Sequence, residues 1–261
     1  MTDLAWTEEP GEEPAAVLLH EGAGSRSAWD RLRPALTSGR RTLTYDRRGF
    51  GRSPRTASFS ADHFDQACDD LATLLRGRGT QRDAARRHDL VGHSDGGSVA
   101  LLVAARHPEL VRSVTVVATH VYADPATVRA VAAMGAPRGW DARVQRSYAA
   151  QHGDDWERVV EDWLGLWTGG ALARWDLRRE LAAISCPVLA VHDRRDPLSP
   201  VVHAAALTQG LPDVRVAWHD TGSHRPHLVD RDSFIDEVHA FWASLGRAYV
   251  GPAGGAAAGP V

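Results

Sequence analysis

The chain has 261 residues, enough for one large α/β domain or two small ones. Apolar residues make up 43% of it, so a substantial core can be buried. The net charge of -3 gives no overall field that would mark a nucleic-acid or membrane-surface binder. All 30 basic residues are arginine, which we attribute to the codon bias of a GC-rich genome.

The sequence shows no pattern for export or membrane insertion. Residues Met1 to Pro14 are acidic and lack an apolar run, and no stretch approaches 18 consecutive apolar residues. The two cysteines, Cys68 and Cys186, make no disulfide framework. We therefore expect a cytoplasmic protein with a small-molecule substrate and no nucleic-acid or membrane partner; the sequence predicts no oligomeric state.

Short apolar runs alternate with longer amphipathic segments, a pattern typical of βα units on a mostly parallel sheet. The apolar runs predict strands at Ala15–His20, Arg41–Tyr45, His88–Gly92, Ser113–Ala118, Pro187–His192 and Val214–Trp218. The longer segments predict helices at Ala28–Leu36, Ala61–Arg76, Asp95–Arg106, Val201–Gly210 and Ser233–Leu245. Since only a short segment precedes the first of these strands, we expect no room for an antiparallel strand ahead of it.

The interval from His120 to Ala183 breaks this rhythm and offers no convincing strand. It holds five of the nine tryptophans: Trp140, Trp156, Trp163, Trp167 and Trp175. We predict a helical cap at residues 120–183, inserted into an α/β core of residues 1–119 and 184–247. Most of the tryptophans should pack the cap against the core, while Trp163 and Trp167 line a substrate pocket. Residues 248–261, mostly Gly, Ala and Pro, should form a flexible tail.

The segment from His88 to Gly97 runs from a predicted strand straight into a predicted helix and contains G-x-S-x-G. In this context the motif predicts a nucleophile elbow with Ser94 as the nucleophile. A sharp turn would project the Ser94 hydroxyl from the sheet edge, and a Cβ at Gly92 or Gly96 would collide with neighbouring backbone. The helix that begins at Asp95 would direct free N–H groups toward developing negative charge.

With these segments the chain resembles the α/β-hydrolase family over nearly its whole length. The likeness rests on an oxyanion loop, a D-x-R-G-x-G-x-S loop, an acid-bearing strand and turn, and a histidine loop, found at His20–Ser25, Tyr45–Ser53, Cys186–Pro197 and Thr221–His224. The resemblance implies the α/β-hydrolase fold, a mostly parallel sheet flanked by helices, with a helical cap inserted before the acid-bearing strand. It also implies a Ser-Asp-His order of catalytic residues.

Asp196 and His224 fit this order, each just past a predicted strand. Asp193 is the rival acid, but the family pattern places the acid immediately before a proline, as at Asp196. His227 is the rival base, and the loop position after Gly222 favours His224. His224 would remove the proton of the nucleophile, and Asp196 would fix the imidazole tautomer.

The oxyanion hole should combine the backbone N–H groups of Asp95 and Gly22. Family members usually have glycine directly after the histidine of this loop, whereas this chain has Glu21. The variant Gly-x-Ser-Asp-Gly-Gly resembles the valacyclovir-hydrolase-like branch, which cleaves amino-acid esters. That resemblance implies that Asp95 faces a substrate amino group, with Glu21 across the same pocket. Alternatively, Asp95 serves the first turn of its helix or pairs with an arginine.

Other patterns in the chain point to other chemistry. Gly22-x-Gly24 after a strand hints at a dinucleotide fingerprint, but Ser27 stands at the third glycine. The pair His224 and His227 shows no third metal ligand. His120, at the mouth of the insertion, is a further candidate for substrate contact.

The leading interpretation is a hydrolase for a small carboxylic ester, lactone or thioester, acting through a Ser94 acyl-enzyme without metal or cofactor. One alternative keeps the fold but uses it for acyl transfer, C–C bond hydrolysis or a tailoring step in secondary metabolism. Another is a non-catalytic ligand-binding protein.

Overall fold

Seven strands form one sheet in the computed structural model, which describes residues 3–77 and 87–246. The strands are β1 (Trp6–Glu9), β2 (Glu12–Leu19), β3 (Arg40–Tyr45), β4 (His88–His93), β5 (Val111–Val117), β6 (Val188–Asp193) and β7 (Val214–His219). Their order across the sheet is β1-β3-β2-β4-β5-β6-β7. Only β1, in the described part of the chain, is antiparallel to its neighbour, so the predicted mostly parallel sheet is confirmed.

Helices connect these strands. They are α1 (Arg33–Leu36), α2 (His63–Gly77), α3 (Asp95–Arg106), α4 (Pro125–Ala133), α5 (Ala142–His152), α6 (Trp156–Thr168), α7 (Val201–Gly210), α8 (Pro226–Val229) and α9 (Arg231–Ser244). Short 3₁₀ turns lie at Arg26–Trp29, Pro108–Leu110, Pro137–Gly139, Gly153–Asp155 and Leu181–Ala183. None of the helices in the described ranges has the length and apolar character needed to cross a membrane.

The sheet is covered on both faces, as its near-continuous apolar strands require. On β2, Val17 and Leu19 point into one apolar cluster, which α2, α3, α6 and α7 also line. Ala16 and Leu18 point into the opposite cluster, where α9 supplies Phe234 and other apolar side chains. This three-layer packing leaves the ends of the strands free for the connecting loops.

The expectation that no antiparallel strand precedes β2 is wrong. β1 pairs with β3, with Trp6 opposite Tyr45 and Glu9 opposite Thr42. β2 lies on the other side of β3, so the chain between β1 and β2 must cross the start of β3. It crosses at Gly11, where a Cβ would collide with the backbone of Arg40. Because glycine has no side chain, the chain can cross here, and the short segment before β2 has room for the four-residue strand β1.

The prediction of a single helix at Ala28–Leu36 is also wrong. A 3₁₀ turn at Arg26–Trp29 is followed by the separate one-turn helix α1, and Pro34 lies in the first turn of α1. Proline lacks the backbone N–H that a continuous helix would use at this point, so the helix breaks ahead of it.

The interval from 120 to 183 contains α4, α5 and α6. Its β pairing, within this fully described stretch, is one isolated bridge between Tyr122 and Asp176. Five tryptophans pack within or against the main apolar cluster, as the composition of the interval predicts. Residues 248–261, expected to form a flexible tail, lie outside the described residues.

Two glycines allow β4 and α3 to meet in a tight turn. A Cβ on Gly92 would strike the carbonyl of Gly96, and a Cβ on Gly96 would strike the carbonyls of Leu19 and His20. These neighbours are backbone atoms of a packed sheet and helix, so they cannot move aside as a flexible side chain would. The two glycines therefore set how closely α3 approaches β2.

We expect Gly96→Ala to destabilise the protein by about 1–3 kcal/mol, the usual effect of overpacking a filled interior. Urea unfolding at neutral pH measures this change. Gly165→Ala is a matched control because Gly165 lies in α6 with open space around it. Alanine there should leave stability unchanged or raise it by about 0.5–1 kcal/mol. Equal effects of the two substitutions would contradict the close contact at Gly96.

Several histidines are buried in the fold and, within the described residues, form no ion pair with a carboxylate. Burial lowers the pKa of His192 in β6 to about 4, and neither of its ring nitrogens has a hydrogen-bond partner among the described residues. Burial likewise lowers the pKa of His63 to about 3 and that of His203 to about 2. Because the unfolded chain binds these protons more readily, their contribution to stability is complete only above about pH 6.5.

We expect the protein to lose stability as the pH falls below about 6.5, with His192 alone contributing about 2 kcal/mol of loss by pH 5. In His192→Gln, part of this pH dependence should disappear because glutamine does not titrate. Urea unfolding at pH 7.5, 6 and 5 provides the test, and the exposed His239→Gln serves as control. If the free energy of unfolding has the same pH dependence in both variants, buried His192 is not a source of acid sensitivity.

Candidate active site

The Ser94 hydroxyl, the His224 imidazole and the Asp196 carboxylate lie in one hydrogen-bonded line. Ser94 Oγ is 3.0 Å from His224 Nε2. His224 Nδ1 is 2.8 Å from Asp196 Oδ2. An ionised carboxylate only accepts hydrogen bonds, so Nδ1 carries the ring hydrogen and Nε2 can accept the hydroxyl proton. This line can transfer a proton from Ser94, the first requirement of nucleophilic catalysis.

Ser94 occupies a strained backbone conformation between β4 and α3. Its φ of 52° and ψ of -121° lie in a region that non-glycine residues rarely adopt. The turn is held by a hydrogen bond from the Ser94 N–H to the Val117 carbonyl at 2.8 Å and one from the Gly97 N–H to the Ser94 carbonyl at 2.9 Å. The strained turn directs the hydroxyl away from the sheet edge, toward His224.

Asp196 is held in place by backbone donors. Its Oδ1 accepts hydrogen bonds from the N–H groups of Leu198 at 2.8 Å and Ser199 at 3.0 Å. Burial raises the pKa of Asp196, but the hydrogen bond from His224 and those from the backbone outweigh it, so the pKa lies below its usual value. Asp196 is therefore ionised at neutral pH.

The two rival residues have other contacts. Asp193 accepts a hydrogen bond from the Thr221 hydroxyl at 2.7 Å and one from the Gly222 N–H at 3.1 Å. It thereby ties the histidine loop to the end of β6. The His227 ring packs against Trp29 and His93, with ring centroids 5.5 and 4.4 Å apart. Asp196 and His224, and not these two residues, form the line to the Ser94 hydroxyl.

The environment of His224 favours its neutral form. Burial lowers the pKa of His224, and the hydrogen bond and charge of Asp196 oppose that effect in part. The interactions with His93 and Arg225 add to the lowering. The resulting pKa lies below the usual value for histidine, so the imidazole is free to accept a proton at neutral pH.

The loop after β2 is braced from the D-x-R-G-x-G-x-S segment. His20 Nδ1 donates to the Glu21 carbonyl at 2.8 Å, and the Arg47 N–H donates to His20 Nε2 at 3.0 Å. The fully buried Arg47 guanidinium also donates to the Glu21 carbonyl at 2.8 Å. Asp46 accepts the N–H of Arg26 at 2.7 Å, so this carboxylate is committed to the loop and is not presented to a nucleotide ribose.

Asp95 is fully buried, and only one of its two carboxylate oxygens accepts a hydrogen bond from the described residues. Its Oδ2 accepts a hydrogen bond from Trp163 Nε1 at 2.9 Å, which links α6 to the start of α3. Its Oδ1 has no hydrogen-bond partner among the described residues. The Arg47 charge interacts with Asp95, but the Arg47 guanidinium directs its hydrogen bonds to His63 and Glu21. A Cβ on Gly22 would come within 2.6 Å of Asp95 Oδ2, so the two residues expected to form the oxyanion hole lie side by side.

The Glu21 carboxylate contacts side chains of the protein. Its Oε1 is 3.1 Å from Arg225 Nη2, and its Oε2 is 3.6 Å from His93 Nδ1. Burial raises the pKa of Glu21, but the interactions with His93 and Arg225 outweigh it and hold the pKa well below its usual range. The carboxylate is already paired within the protein, which argues against the expected contact with substrate.

His120 and Trp167 pack against one another beside His224. Their ring centroids are 5.0 Å apart, and the His120 and His224 rings are 5.9 Å apart. His120 Nε2 is 3.0 Å from the Leu198 carbonyl, to which it donates. Both side chains are buried, so any contact with substrate stays a prediction.

Three residues with clear roles in the architecture of the site were not singled out from the sequence. His93 contacts the His224 carbonyl, and Arg225 pairs with Glu21 and contacts Tyr148 of α5. His152, at the end of α5, accepts the Gly51 N–H at 2.9 Å and donates to the Ala23 carbonyl at 2.8 Å. His93 is a variable position within G-x-S-x-G, and Arg225 directly follows the predicted base, so the position of each could have drawn attention to it. No local pattern marks His152.

One trio of potential metal ligands, Cys68, Asp69 and His107, is found within residues 3–77 and 87–246. His107 lies at the C-terminal end of α3, whereas Ser94 precedes its first residue, so the trio is about a helix length from the candidate site. Arg76 Nη2 is 2.9 Å from His107 Nδ1, and its positive charge opposes a cation there. We assign no metal to the site.

Comparison with known proteins agrees with this architecture. A family model described as the alpha/beta hydrolase fold matches residues 14–169, more than half of the chain. The solved structure of a hydrolase from Pseudomonas aeruginosa superimposes with a TM-score of 0.68 at 23% identity, covering 92% of this chain and 94% of that one.

Two curated relatives show similarity over most of their length. Serine hydrolase BPHL of Mus musculus is 29% identical over 239 residues, which cover 88% of this chain and 80% of the relative. The pimeloyl-acyl-carrier-protein methyl ester esterase of Aeromonas hydrophila is 28% identical over 258 residues, which cover 88% of this chain and 96% of the relative. Together with the family match and the sheet topology, these likenesses show that the chain belongs to the α/β-hydrolase family.

Proposed function

We propose that the protein is a serine hydrolase that cleaves a small carboxylic ester, lactone or thioester through an acyl-enzyme on Ser94. The observation that carries the proposal is the hydrogen-bonded line from Ser94 through His224 to Asp196. The names of two relatives, a serine hydrolase and a methyl ester esterase, support this class of reaction.

In the proposed mechanism, Ser94 Oγ attacks the substrate carbonyl while His224 Nε2 takes the hydroxyl proton. Asp196 stabilises the imidazolium that forms. The negative oxygen of the tetrahedral intermediate is received by the backbone N–H groups of Asp95 and Gly22, at the positive end of α3. His224 then gives its proton to the leaving alcohol or thiol. Water repeats the sequence on the acyl-enzyme and releases the acid.

The helices α4, α5 and α6 form, in this proposal, a cap of residues 120–183 over the site. The hydrogen bond from Trp163 to Asp95 supports this placement because it joins α6 directly to the residue after the nucleophile. Trp167, packed on His120, would form the neighbouring wall of the substrate pocket. Apolar walls with few polar groups suit a small ester.

A fluorophosphonate probe should label the folded protein, and Ser94→Ala should abolish labelling. With an ester that is turned over, Ser94→Ala should lower kcat by roughly 10⁶, because the acyl-enzyme can no longer form. Intact-mass spectrometry checks labelling, and circular dichroism checks folding. Ser147→Ala, at an exposed serine of α5, is the matched control and should label like the parent protein.

Absence of labelling in the folded parent protein would reject the proposal and favour a non-catalytic member of the family. Labelling that persists in Ser94→Ala would show that another group reacts.

We further propose that Asp95 binds the ammonium group of an aminoacyl ester. Its buried Oδ1 lacks a hydrogen-bond partner among the described residues, and such an oxygen is costly unless a ligand satisfies it. A carboxylate beside an oxyanion is also repulsive, and a substrate cation between them would remove that repulsion. Since Glu21 is paired with Arg225, we assign the cation-binding role to Asp95 alone.

Asp95→Asn should lower kcat/KM for an α-amino ester by about 10- to 100-fold, because it replaces a hydrogen bond between charged groups. It should change kcat/KM for an uncharged ester of equal size by less than about threefold, since the backbone N–H is retained. Steady-state kinetics on the matched pair of esters measures both values. Asp162→Asn, in α6 next to Trp163, is the control for loss of a carboxylate. Equal changes for the two esters would rule out ammonium recognition by Asp95.

A further inference from the structure

A histidine and a carboxylate outside the proposed catalytic line contact the backbone of the catalytic loop. We propose that Glu21 and His93 form a second acid–histidine pair, which holds the main chain of His224 and so positions its imidazole toward Ser94. The inference rests on the proposed function, because it assigns these two residues as positioning residues for the same reaction.

The contact to the catalytic loop is made by the His93 ring. His93 Nε2 is 2.9 Å from the His224 carbonyl oxygen, and the His93 side chain is buried. A carbonyl oxygen only accepts hydrogen bonds, so His93 Nε2 must carry a hydrogen. The two rings lie 5.1 Å apart, side by side, and this bond fixes the backbone from which the His224 ring projects.

The other side of the His93 ring faces a carboxylate. Glu21 Oε2 is 3.6 Å from His93 Nδ1, and Glu21 Oε1 is 3.1 Å from Arg225 Nη2. A neutral ring with its hydrogen on Nε2 would present the Nδ1 lone pair to this carboxylate. In the proposed pair both ring nitrogens carry a hydrogen, so that an imidazolium faces the Glu21 carboxylate across 3.6 Å.

The pair joins three connections that meet at the edge of the sheet. Glu21 belongs to the loop after β2, His93 ends β4, and Arg225 directly follows His224 after β7. At the position of Glu21, the resemblance leads one to expect glycine, which has no side chain to orient His93. A buried carboxylate is tolerable only when paired, and the two cations beside Glu21 meet that condition.

Charge on His93 also acts on His224. The groups that surround the His224 ring carry both signs: Asp196 from the loop after β6, His93 from β4, Arg225 from its own loop, and His120 after β5. Glu21 and His227 complete the surroundings of His93. Positive charge at His93 disfavours protonation of His224 and keeps the base available at lower pH.

The experiment compares His93→Gln, His93→Leu and Glu21→Gln in the full chain. Turnover of 4-nitrophenyl acetate is measured across pH, together with the rate of fluorophosphonate labelling. Glutamine at 93 keeps an amide N–H near the position of Nε2 but removes the ring charge, and leucine removes both. His239→Gln is the matched control, because His239 Nε2 also bonds a backbone carbonyl, that of Leu36 at 2.8 Å, away from the site.

We expect His93→Leu and Glu21→Gln to lower kcat by about 10- to 100-fold with little change in KM, because His224 loses its alignment. His93→Gln should keep kcat within about threefold of the parent. The acidic limb of its pH profile, where His224 becomes protonated, should move to higher pH by about one half to one unit. The reason is that the positive charge of the His93 ring beside His224 is gone. If His93 only stabilised the fold, His93→Gln would not shift the acidic limb of the pH profile while leaving kcat nearly unchanged.

Two results would overturn the inference alone: a labelled, active parent protein whose three variants match it in kcat and pH profile, or His93→Gln impaired as much as His93→Leu. If leucine at 93 prevents folding, His93→Gln and Glu21→Gln still decide the outcome, since the first predicts a pH shift and the second a loss of kcat. An unlabelled, inactive parent protein would instead overturn the proposed function and this inference with it.

Discussion

The carboxylate of Asp193 helps to hold the loop that carries His224 against the end of β6. Asp193, the last residue of β6, accepts hydrogen bonds from the Thr221 hydroxyl and from the Gly222 backbone. Because β6 and β7 are parallel neighbours, their carboxyl ends lie at the same edge of the sheet, where this bridge can form. It holds the histidine loop at the edge of the sheet where His224 Nδ1 meets Asp196 Oδ2 at 2.8 Å, the contact on which the proposed proton transfer depends.

Much of this arrangement could be predicted from the sequence because it is recorded locally. The glycines of the turn stand close to Ser94 in the sequence, and the apolar runs mark β4, β6 and β7 within a residue or two of their ends. The choice of Asp196 over Asp193 came from the family resemblance, which places the acid immediately before a proline. The rest depended on contacts between distant segments: β1 exists because Gly11 lets the chain cross the start of β3. Pairing of that kind has no signature in hydrophobic periodicity.

The two carboxylates near Ser94, Glu21 and Asp95, also have partners that the sequence does not predict. The resemblance to the valacyclovir-hydrolase-like branch implied that Asp95 faces a substrate amino group, with Glu21 across the same pocket. In the structure, Glu21 is paired with Arg225, whereas Asp95 keeps one buried oxygen without a partner in the described residues. The difference arises from Arg225, whose place beside Glu21 is set by the fold of the histidine loop. No spacing rule in the sequence indicates which carboxylate meets which cation.

The ion pair between Arg225 and Glu21 has a consequence for alkaline conditions. The Glu21 charge raises the pKa of Arg225 and outweighs burial, which lowers it, so this cation does not titrate in water at any pH the fold is expected to meet. An ammonium side chain in the same place would begin to discharge near pH 10. The brace between the histidine loop and the loop after β2 is therefore insensitive to base, and deprotonation elsewhere must set the upper pH boundary of the molecule.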